Sequence, residues 1–334
     1  SLSHGMVFIG KYAGKCMANQ GCSTFIGHCA GAHATAGPNV ALGVQALYNA
    51  SGSHNVALGP WAGKCNSSGT HNFFGGYYAG GMETLTGKEN VFIGKYVGKA
   101  TTSGCYNVAL GGAMCAGPGV TGSYNIAFGH RAGRCITSGE GNIFMGTYTG
   151  GGESNKCITG ACNVYIGAHA GRSLCSGGCN IAIGYQAGRD GTDVTYNVSI
   201  GANAAQQASG THNIAIGCAA GCCLSSGDGN TIGECAGCGS ISGKCNIVIG
   251  RYVVPASLSG DTQLAIGDGL TNRWITGDSS FHIQPGAGIR DTAGNLGSAG
   301  QYLCTTGSAV AWAAVSGGGF SPDADENLKA GTSA

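Results

Sequence analysis

The sequence predicts an all-β fold, a β-solenoid (β-roll) of about sixteen coils with about 17 residues each. Gly supplies 66 of the 334 residues, about three times its ordinary share, and each Gly inside a helix would cost about 1 kcal/mol relative to Ala. One motif recurs along the chain: Asn, Val or Ile, Ala or an aromatic residue, Ile or Leu, then Gly. Its apolar residues alternate with period two, which is typical of a short strand.

The repeat is marked by the Gly that closes each apolar run, and successive Gly residues lie 16 to 18 residues apart except for Gly146 and Gly167, which are 21 apart. A unit of this length is too short for a strand and a crossover helix, and helical repeats need about 34 residues or more. One unit therefore predicts one coil, with a strand, a Gly corner, a second short strand near Ala-Gly and another corner. Coils stacked about 4.8 Å apart give a rod of roughly 70–75 Å.

The Asn that opens most units predicts a structural ladder. Amides at one phase of stacked coils can pass hydrogen bonds to the amides above and below. The alternative is that each Asn serves only its own turn. The residues concerned are Asn39, Asn55, Asn72, Asn90, Asn107, Asn125, Asn142, Asn163, Asn180, Asn197, Asn213, Asn230 and Asn246.

The alternation also predicts an inside and an outside for each strand. We expect the Val/Ile and Ile/Leu positions to form two interior ladders and the middle residue to face outward. An outward stripe of Ala and aromatic residues is too apolar to face water along a whole rod, which predicts packing against other copies of the chain in a homo-oligomer. The middle residues are Ala41, Ala57, Ala109, Ala127, Ala182, Ala215, Ala265, Phe8, Phe25, Phe92, Phe144 and Tyr165.

The motif resembles two groups of known proteins. Residues 138–146 and 242–250, with Asn-Ile-Phe-Met-Gly and Asn-Ile-Val-Ile-Gly, are typical units. They resemble the left-handed β-roll repeat of YadA-type trimeric adhesin heads. They resemble more closely the Gly-rich repeat array of tail-fibre-like proteins of tailed phages, notably marine cyanobacterial phages. Residues 294–315 resemble a linker module of phage fibres. The resemblance implies trimeric fibres and surface attachment, with no catalytic residues.

The period divides the chain into three parts. Residues 1–269 are the predicted repeat array, and residues 270–319, which hold Trp274 and Trp312, are a predicted small β module or linker. Residues 320–334 are a predicted acidic loop that leads toward a possible further array. We therefore expect the chain to be a piece of a longer fibre.

Charge and hydropathy narrow the range of partners. The chain has 16 Lys and Arg against 15 Asp and Glu, so it has no basic field for nucleic acid. No apolar run reaches 18 residues, so we expect no membrane insertion. The expected partners are copies of the chain itself, other virion or fibre proteins, and host surface glycans at corner Tyr and His residues. No cofactor is expected.

Cysteine is the first candidate for chemistry, with 18 residues. Three interpretations stay open: buried apolar fillers, axial disulfides between coils, and a metal site. Cys162 with Cys179, and Cys222 with Cys238, share a phase in consecutive coils and are the candidate disulfide pairs. The metal interpretation depends on the spacing of Cys235 and Cys238 and on the neighbouring Cys218, Cys222, Cys223 and Cys245. Cys135 shares the phase of Cys16, Cys65 and Cys223.

Enzymatic chemistry has little support in the sequence. Glycoside hydrolysis needs two carboxylates about 5–10 Å apart, and only Glu140 with Glu153, and Asp190 with Asp193, are candidate neighbours. His54, His71 and His212 each precede a unit Asn, in a slot that Tyr106, Tyr124 and Tyr196 also occupy, which indicates a corner position and not a ligand site.

The sequence therefore predicts a structural protein and not an enzyme. The expected function is the shaft of a phage tail fibre or similar virion appendage that holds a receptor-binding tip. The alternative is a bacterial cell-surface adhesin or extracellular filament whose array binds partners itself. The third and least favoured class is a tailspike-type polysaccharide-degrading enzyme.

Overall fold

The fold is known from a computed structural model that covers most of the repeat array and parts of the C-terminal segment. It describes residues 5–17, 21–112, 119–134, 136–151, 158–173, 176–190, 194–224, 229–239, 241–270, 272–280, 282–285, 293, 295, 301–305, 310–314, 321–322 and 328–329.

Sixteen short parallel strands, one from each coil, form a single continuous sheet in the described residues. Each strand pairs with the strands of the coils before and after it, so the sheet runs along the stacking axis. The strands are β1 Val7–Ile9, β2 Thr24–Ile26, β3 Asn39–Leu42, β4 Asn55–Leu58, β5 Phe73–Gly75, β6 Val91–Ile93, β7 Val108–Leu110, β8 Ile126–Phe128, β9 Ile143–Met145, β10 Val164–Ile166, β11 Ile181–Ile183, β12 Val198–Ile200, β13 Ile214–Ile216, β14 Gly229–Ile232, β15 Asn246–Ile249 and β16 Leu264–Gly267.

The register follows the motif, so equivalent residues stack on each other. In β3 and β4, Asn39 lies beside Asn55, and Ala41 lies beside Ala57. The described residues contain strands and turns but no helix. The predicted all-β solenoid is therefore confirmed.

The Gly that closes each strand, the corner Gly, turns the chain where the coils approach most closely. Its φ lies between +122° and +146° from Gly10 to Gly250, a region that side-chain-bearing residues rarely adopt. A Cβ on Gly129 would lie 2.7 Å from the carbonyl oxygen of Gly146 in the next coil. Any other residue would therefore force neighbouring coils apart.

The segment after the corner Gly is a run of turns, so the predicted second strand near Ala-Gly is wrong. The second residue after the corner Gly has a φ between +51° and +63° in fourteen coils of the described array. Because these residues have left-handed backbone, alternate peptide groups of the segment point along the stacking axis. They therefore also form hydrogen bonds from coil to coil. The amide of Cys29 donates to the Lys11 carbonyl (2.9 Å), and the amide of Gly31 donates to the Ala46 carbonyl (2.9 Å).

The interior of the coil is lined by the middle residue of each strand, which corrects the predicted orientation. In β13, Ala215 is 0% exposed, whereas Ile214 and Ile216 are 36% and 37% exposed. The predicted outward residues that the structure buries are Ala41, Ala57, Ala109, Ala127, Ala182, Ala215, Ala265, Phe25, Phe92, Phe144 and Tyr165. Phe8, in the first described coil, is partly exposed, and its ring stacks on Phe25.

The narrow width of the coil explains this orientation. The apolar interior holds one strand side chain per coil, opposite the turn segment. Where that side chain is aromatic, the facing turn has Gly: a Cβ on Gly150 would lie 2.1 Å from the Phe144 ring. In the coil of Ala41 the same turn position is Leu47, which is fully buried. Other Ala coils keep Gly at this position, and a residue further along the turn fills the space, as Ile136 does.

The C-terminal segment begins by closing the sheet. Strand β17 (Arg273–Gly277) pairs antiparallel with β16, and β18 (Ile283–Pro285) pairs antiparallel with β17. Beyond them, β19 (Gln301–Thr305) and β20 (Val310–Ala314) form an antiparallel pair, as do β21 (Ser321–Pro322) and β22 (Leu328–Lys329). The antiparallel strands cover the edge of β16 and prevent a further coil from stacking there.

Candidate functional site

The unit Asn residues form a continuous buried ladder of hydrogen bonds along the axis. The backbone amide of Asn125 donates to Oδ1 of Asn107 (2.9 Å), and Nδ2 of Asn125 donates to the same oxygen (3.2 Å) and to the Gly139 carbonyl (2.8 Å). Asn142 repeats these bonds to Asn125. Each amide in this part of the ladder thus has all its donors and acceptors satisfied.

The ladder extends over most of the predicted residues. Amide-to-Oδ1 bonds of 2.8–3.0 Å join each Asn to the preceding one. Ser23 Oγ accepts from the Asn39 amide at one end, and the Gln263 amide donates to Asn246 Oδ1 at the other. The residues joined in this way are Asn39, Asn55, Asn72, Asn90, Asn107, Asn125, Asn142, Asn163, Asn180, Asn197 and Asn213, with Asn246 joined to Gln263.

Asn230 is the exception, and its assignment to the ladder is corrected. Asn230 lies three residues before its corner Gly, whereas the other unit Asn residues lie four before theirs. Gly229 therefore takes the ladder position, and its amide donates to Asn213 Oδ1 (2.7 Å). Gly has no side chain to continue the chain of amides. Nδ2 of Asn213 has no hydrogen-bond partner in the described residues.

The outer face of the sheet carries an exposed apolar surface, which we call the outer stripe. It consists of the first and third residues of each strand triplet, in two columns along the axis. No strand from β1 to β16 contains a charged residue. The most exposed members are Val7, Ile9, Leu42, Leu58, Ile93, Met145, Ile181, Ile200, Ile214, Ile216, Ile232 and Ile247. Sequence periodicity located these columns but placed them inside.

The residue before the unit Asn forms a second, largely exposed column, with left-handed backbone in most of the described coils. His54 stacks on His71 with ring centroids 4.7 Å apart, and Tyr106 stacks on Tyr124 at 4.9 Å. Tyr196 and His212 stack in the same way. The Glu89 carboxylate in this column raises the pKa of Tyr106. The sequence interpretation of a solvent-facing corner slot agrees with this position.

A cluster of aromatic and lysine side chains lies on the turn after the corner Gly, and we call it the aromatic–lysine cluster. Trp61, Tyr78 and Tyr96 share one phase in three consecutive coils and stack at 4.9 Å and 6.0 Å. Tyr77 packs edge-on against all three. The Nζ of Lys95 lies 5.3 Å from the centre of the Tyr96 ring. The equal spacing from the corner Gly is a signal that could have located this cluster in the sequence.

The cysteines whose side chains the structure describes are free thiols, and none of them is buried, so the interpretation as buried apolar fillers is wrong at these positions. Cys162 and Cys179 are exposed, whereas Cys222 and Cys238 are half-buried, with their sulfur atoms 3.5 Å apart. Cys135 lies outside the described residues. Among the described residues, no three His, Cys, Asp or Glu side chains are arranged to hold a metal ion. Cys218, Cys235 and Cys245, on which the metal interpretation depends, are therefore not part of such a group.

Three described carboxylates of the array each have one close side-chain partner. Asp268 pairs with Arg251 (3.3 Å), Glu234 accepts a hydrogen bond from Tyr252 (3.3 Å), and Asp190 pairs with Arg189 (3.3 Å). Glu153 and Asp193, the second members of the two predicted pairs, lie outside the described residues. Glycosidase chemistry therefore gains no geometric support from the described side chains.

Comparison with protein-family models, with curated proteins and with solved structures gives no match for this chain. In the part of the chain that the structure describes, no helix has the length and hydropathy of a membrane span.

Proposed function

We propose that the chain is a segment of a structural fibre shaft, in which three copies lie side by side and hold a receptor-binding tip away from a virion. A phage tail fibre is an appendage of this kind. The observation that carries the proposal is the outer stripe, an uncharged and mainly aliphatic surface that runs along all sixteen parallel strands.

The outer stripe needs a cover because parallel sheets are normally covered on both faces. Residues i and i+2 of a strand lie about 7 Å apart, so two columns of side chains form a strip roughly 10 Å wide and 70 Å long. Its area, on the order of 700 Å², exceeds the largest apolar patch of a typical monomer. No other described segment of the chain lies over it.

A second and a third copy of the same chain fit this surface best. An identical stripe has the same coil spacing and the same absence of charge, so side chains of facing copies can interdigitate along the whole length. Three strips of this size around one axis would bury on the order of 2,000 Å² in the whole trimer, so the assembly depends on the three contacts together. Packing between copies, which the middle residues predicted, and the threefold arrangement that the resemblance implies thus remain our proposal, with a different surface at the centre.

The axial hydrogen bonds account for the mechanical role. Each coil is bonded to the next through the strand, the turn segment and the Asn ladder. A pull along the axis therefore loads many parallel hydrogen bonds in every coil. A stiff rod of this kind suits a spacer between a particle and a tip, and other virion or fibre proteins would join its ends.

The test is to place charge on the outer stripe. We expect the double variant Ile200→Lys/Ile216→Lys to sediment as a monomer in analytical ultracentrifugation, whereas the unaltered chain sediments as a trimer at micromolar concentration. Burying unpaired ammonium groups at an apolar interface is strongly unfavourable. The circular dichroism of the variant should remain that of a β protein, because both side chains point away from the coil interior.

The matched control is Tyr196→Lys/His212→Lys, which adds the same two charges to the same two coils on the column before the unit Asn. This variant should remain trimeric. A monomeric unaltered chain, or equal dissociation of both double variants, would contradict the proposal.

A second candidate function is favoured by the aromatic–lysine cluster. Partly exposed aromatic rings with hydroxyl groups and nearby ammonium groups suit sugar rings that carry acidic substituents. An adhesin or extracellular filament would use such a surface on the array itself to bind host glycans. Binding of an acidic glycan to the isolated array distinguishes this candidate from a shaft, because a shaft does not need to bind glycan.

A further inference from the structure

The coils of β13 and β14 bring together the closest thiols in the described residues. Cys222 and Cys238 both lie five residues after a corner Gly, so they stack in consecutive coils. Their sulfur atoms are 3.5 Å apart, and Cys223 Sγ lies 3.4 Å from Cys222 Sγ. Stacked coils place Cα atoms about 4.8 Å apart, which is within the range that a disulfide spans.

The same two coils contain polar groups without the bonds found in other coils. The Gly229 amide donates to Asn213 Oδ1, but Gly229 has no side-chain amide to donate a second bond. Among the described residues, Asn213 Nδ2 and Thr231 Oγ1 are buried without a hydrogen-bond partner. The apolar interior is continuous between the two coils, because Leu224 and Ile241 belong to one buried cluster.

We propose that Cys222 and Cys238 are an oxidation site: a low-molecular-weight disulfide oxidises the two thiols, and the disulfide that they form is an axial staple between the two coils. The staple adds one covalent bond between neighbouring coils that lack a side-chain amide bond at Gly229. It goes beyond the shaft proposal and does not depend on the number of chains.

The reaction proceeds by thiol–disulfide exchange in two steps. The Cys222 thiolate attacks one sulfur of the small disulfide, forms a mixed disulfide and expels one small thiolate, which takes up a proton. The Cys238 thiol then loses its proton and attacks Cys222 Sγ, which expels the second small thiolate. The two cysteines are oxidised together, and the small disulfide is reduced to two thiols.

The surroundings of Cys238 influence the rate of the second step. Burial, followed by the hydrogen bond with Cys222, raises the pKa of the Cys238 thiol. Its Sγ also donates a hydrogen bond to the Ala219 carbonyl (2.9 Å). Closure of the staple should therefore be slow at neutral pH and should accelerate as the pH rises.

Two comparisons within the chain single out this pair. Cys223 is as close to Cys222, but a disulfide between adjacent residues closes a small ring that strains the peptide bond between them. Cys162 and Cys179 have the same one-coil spacing, yet both are exposed and the structure gives no contact between their sulfur atoms. Sequence phase alone would have ranked the two one-coil pairs equally.

The experiment treats the folded, reduced full chain with oxidised glutathione and maps the disulfides by mass spectrometry without reduction. We expect a peptide that joins Cys222 to Cys238. Hydrogen exchange should then show roughly 100-fold greater protection for amides of these two coils, because the staple closes a loop of about 15 residues. The Gly229 amide is the most direct reporter.

The controls separate the staple from general oxidation. Cys223→Ser should keep the joined peptide, and Cys162→Ser/Cys179→Ser should keep both the peptide and the added protection. Cys238→Ser should lose both while its reduced form keeps the exchange pattern of the unaltered chain. Glutathione adducts without a Cys222–Cys238 peptide in the unaltered chain, or a staple that adds no protection, would overturn the proposal.

Discussion

At the scale of the residue, the Asn ladder depends on a side chain that accepts and donates along the same axis. Oδ1 of Asn125 receives the backbone amide and the side-chain amide of Asn142, while its Nδ2 donates to the Gly139 carbonyl and to Asn107. Asp has no donor and would stack buried charges about 4.8 Å apart. Asn carries both the acceptor and the donor that the bonds to neighbouring coils need, on a side chain that is long enough to reach them.

The ladder predicts a large difference between two Asn→Ala variants. Asn125→Ala should lower the free energy of unfolding by about 2–4 kcal/mol, because it removes several buried hydrogen bonds and leaves the Asn142 amide without its acceptor. Asn230→Ala, one residue off the ladder, should change it by less than about 0.5 kcal/mol. Urea denaturation followed by circular dichroism measures both, and equal losses would refute the structural role of the ladder.

At the scale of the element, the coil is defined by its corner Gly and by a fixed interior volume. The corner Gly allows contact between backbones of adjacent coils, which sets the spacing for both the strand and the turn segment. The coil of Phe144 fills its interior from the strand, whereas the coil of Ala41 fills it from Leu47 in the turn segment. Either side of the coil can therefore supply the large side chain.

The corner predicts opposite outcomes for two Gly→Ala variants. Gly129→Ala should cost at least about 3 kcal/mol, because φ is +124° and the new Cβ would meet the Gly146 carbonyl oxygen at 2.7 Å. Gly75→Ala, on the outer face of β5, should stay within about 1 kcal/mol, since its Cβ would meet only the side chains of Phe73 and Ile93. Thermal and urea unfolding compare the two, and a tolerated Gly129→Ala would contradict the corner assignment.

At the scale of the whole molecule, the array is a one-dimensional stack in which each coil contacts only its neighbours. Stability in such a stack is approximately a sum of coil terms and interface terms. The antiparallel strands β17 and β18 end this stack at one edge. The outer stripe lies on one side of the rod along its length, so self-association and axial stacking use different surfaces.

A stack of this kind predicts that whole coils can be removed. Deletion of residues 198–213 joins Asn197 to Ile214 in phase, so circular dichroism per residue should stay within roughly a tenth of the original value. Deletion of residues 198–205 removes about half a coil and shifts all later residues out of phase. It should lower the midpoint of urea unfolding much more than deletion of the whole coil does. Similar midpoints for the two deletions would contradict coil-by-coil stacking.

Much of the architecture follows from spacing alone. The constant distance between corner Gly residues predicts the coil, because a chain that returns to the same phase every 16 to 18 residues can bond to itself along an axis. The same spacing predicts the Asn ladder position. Asn230 was misplaced because its distance to Gly233 is one residue shorter, a difference that the motif conceals when units are aligned by Asn.

By itself, the sequence determined the period, the strand positions and the residues that share a phase, since these depend only on distances along the chain. Only the tertiary structure decided which side of each strand is inside. Both sides are apolar, with Val, Ile and Leu on one and Ala and aromatic residues on the other, so alternation distinguishes the faces without orienting them. The narrow coil decides the orientation, because its apolar interior has room for one side chain from each strand triplet. The residues before and after that side chain must therefore face outward.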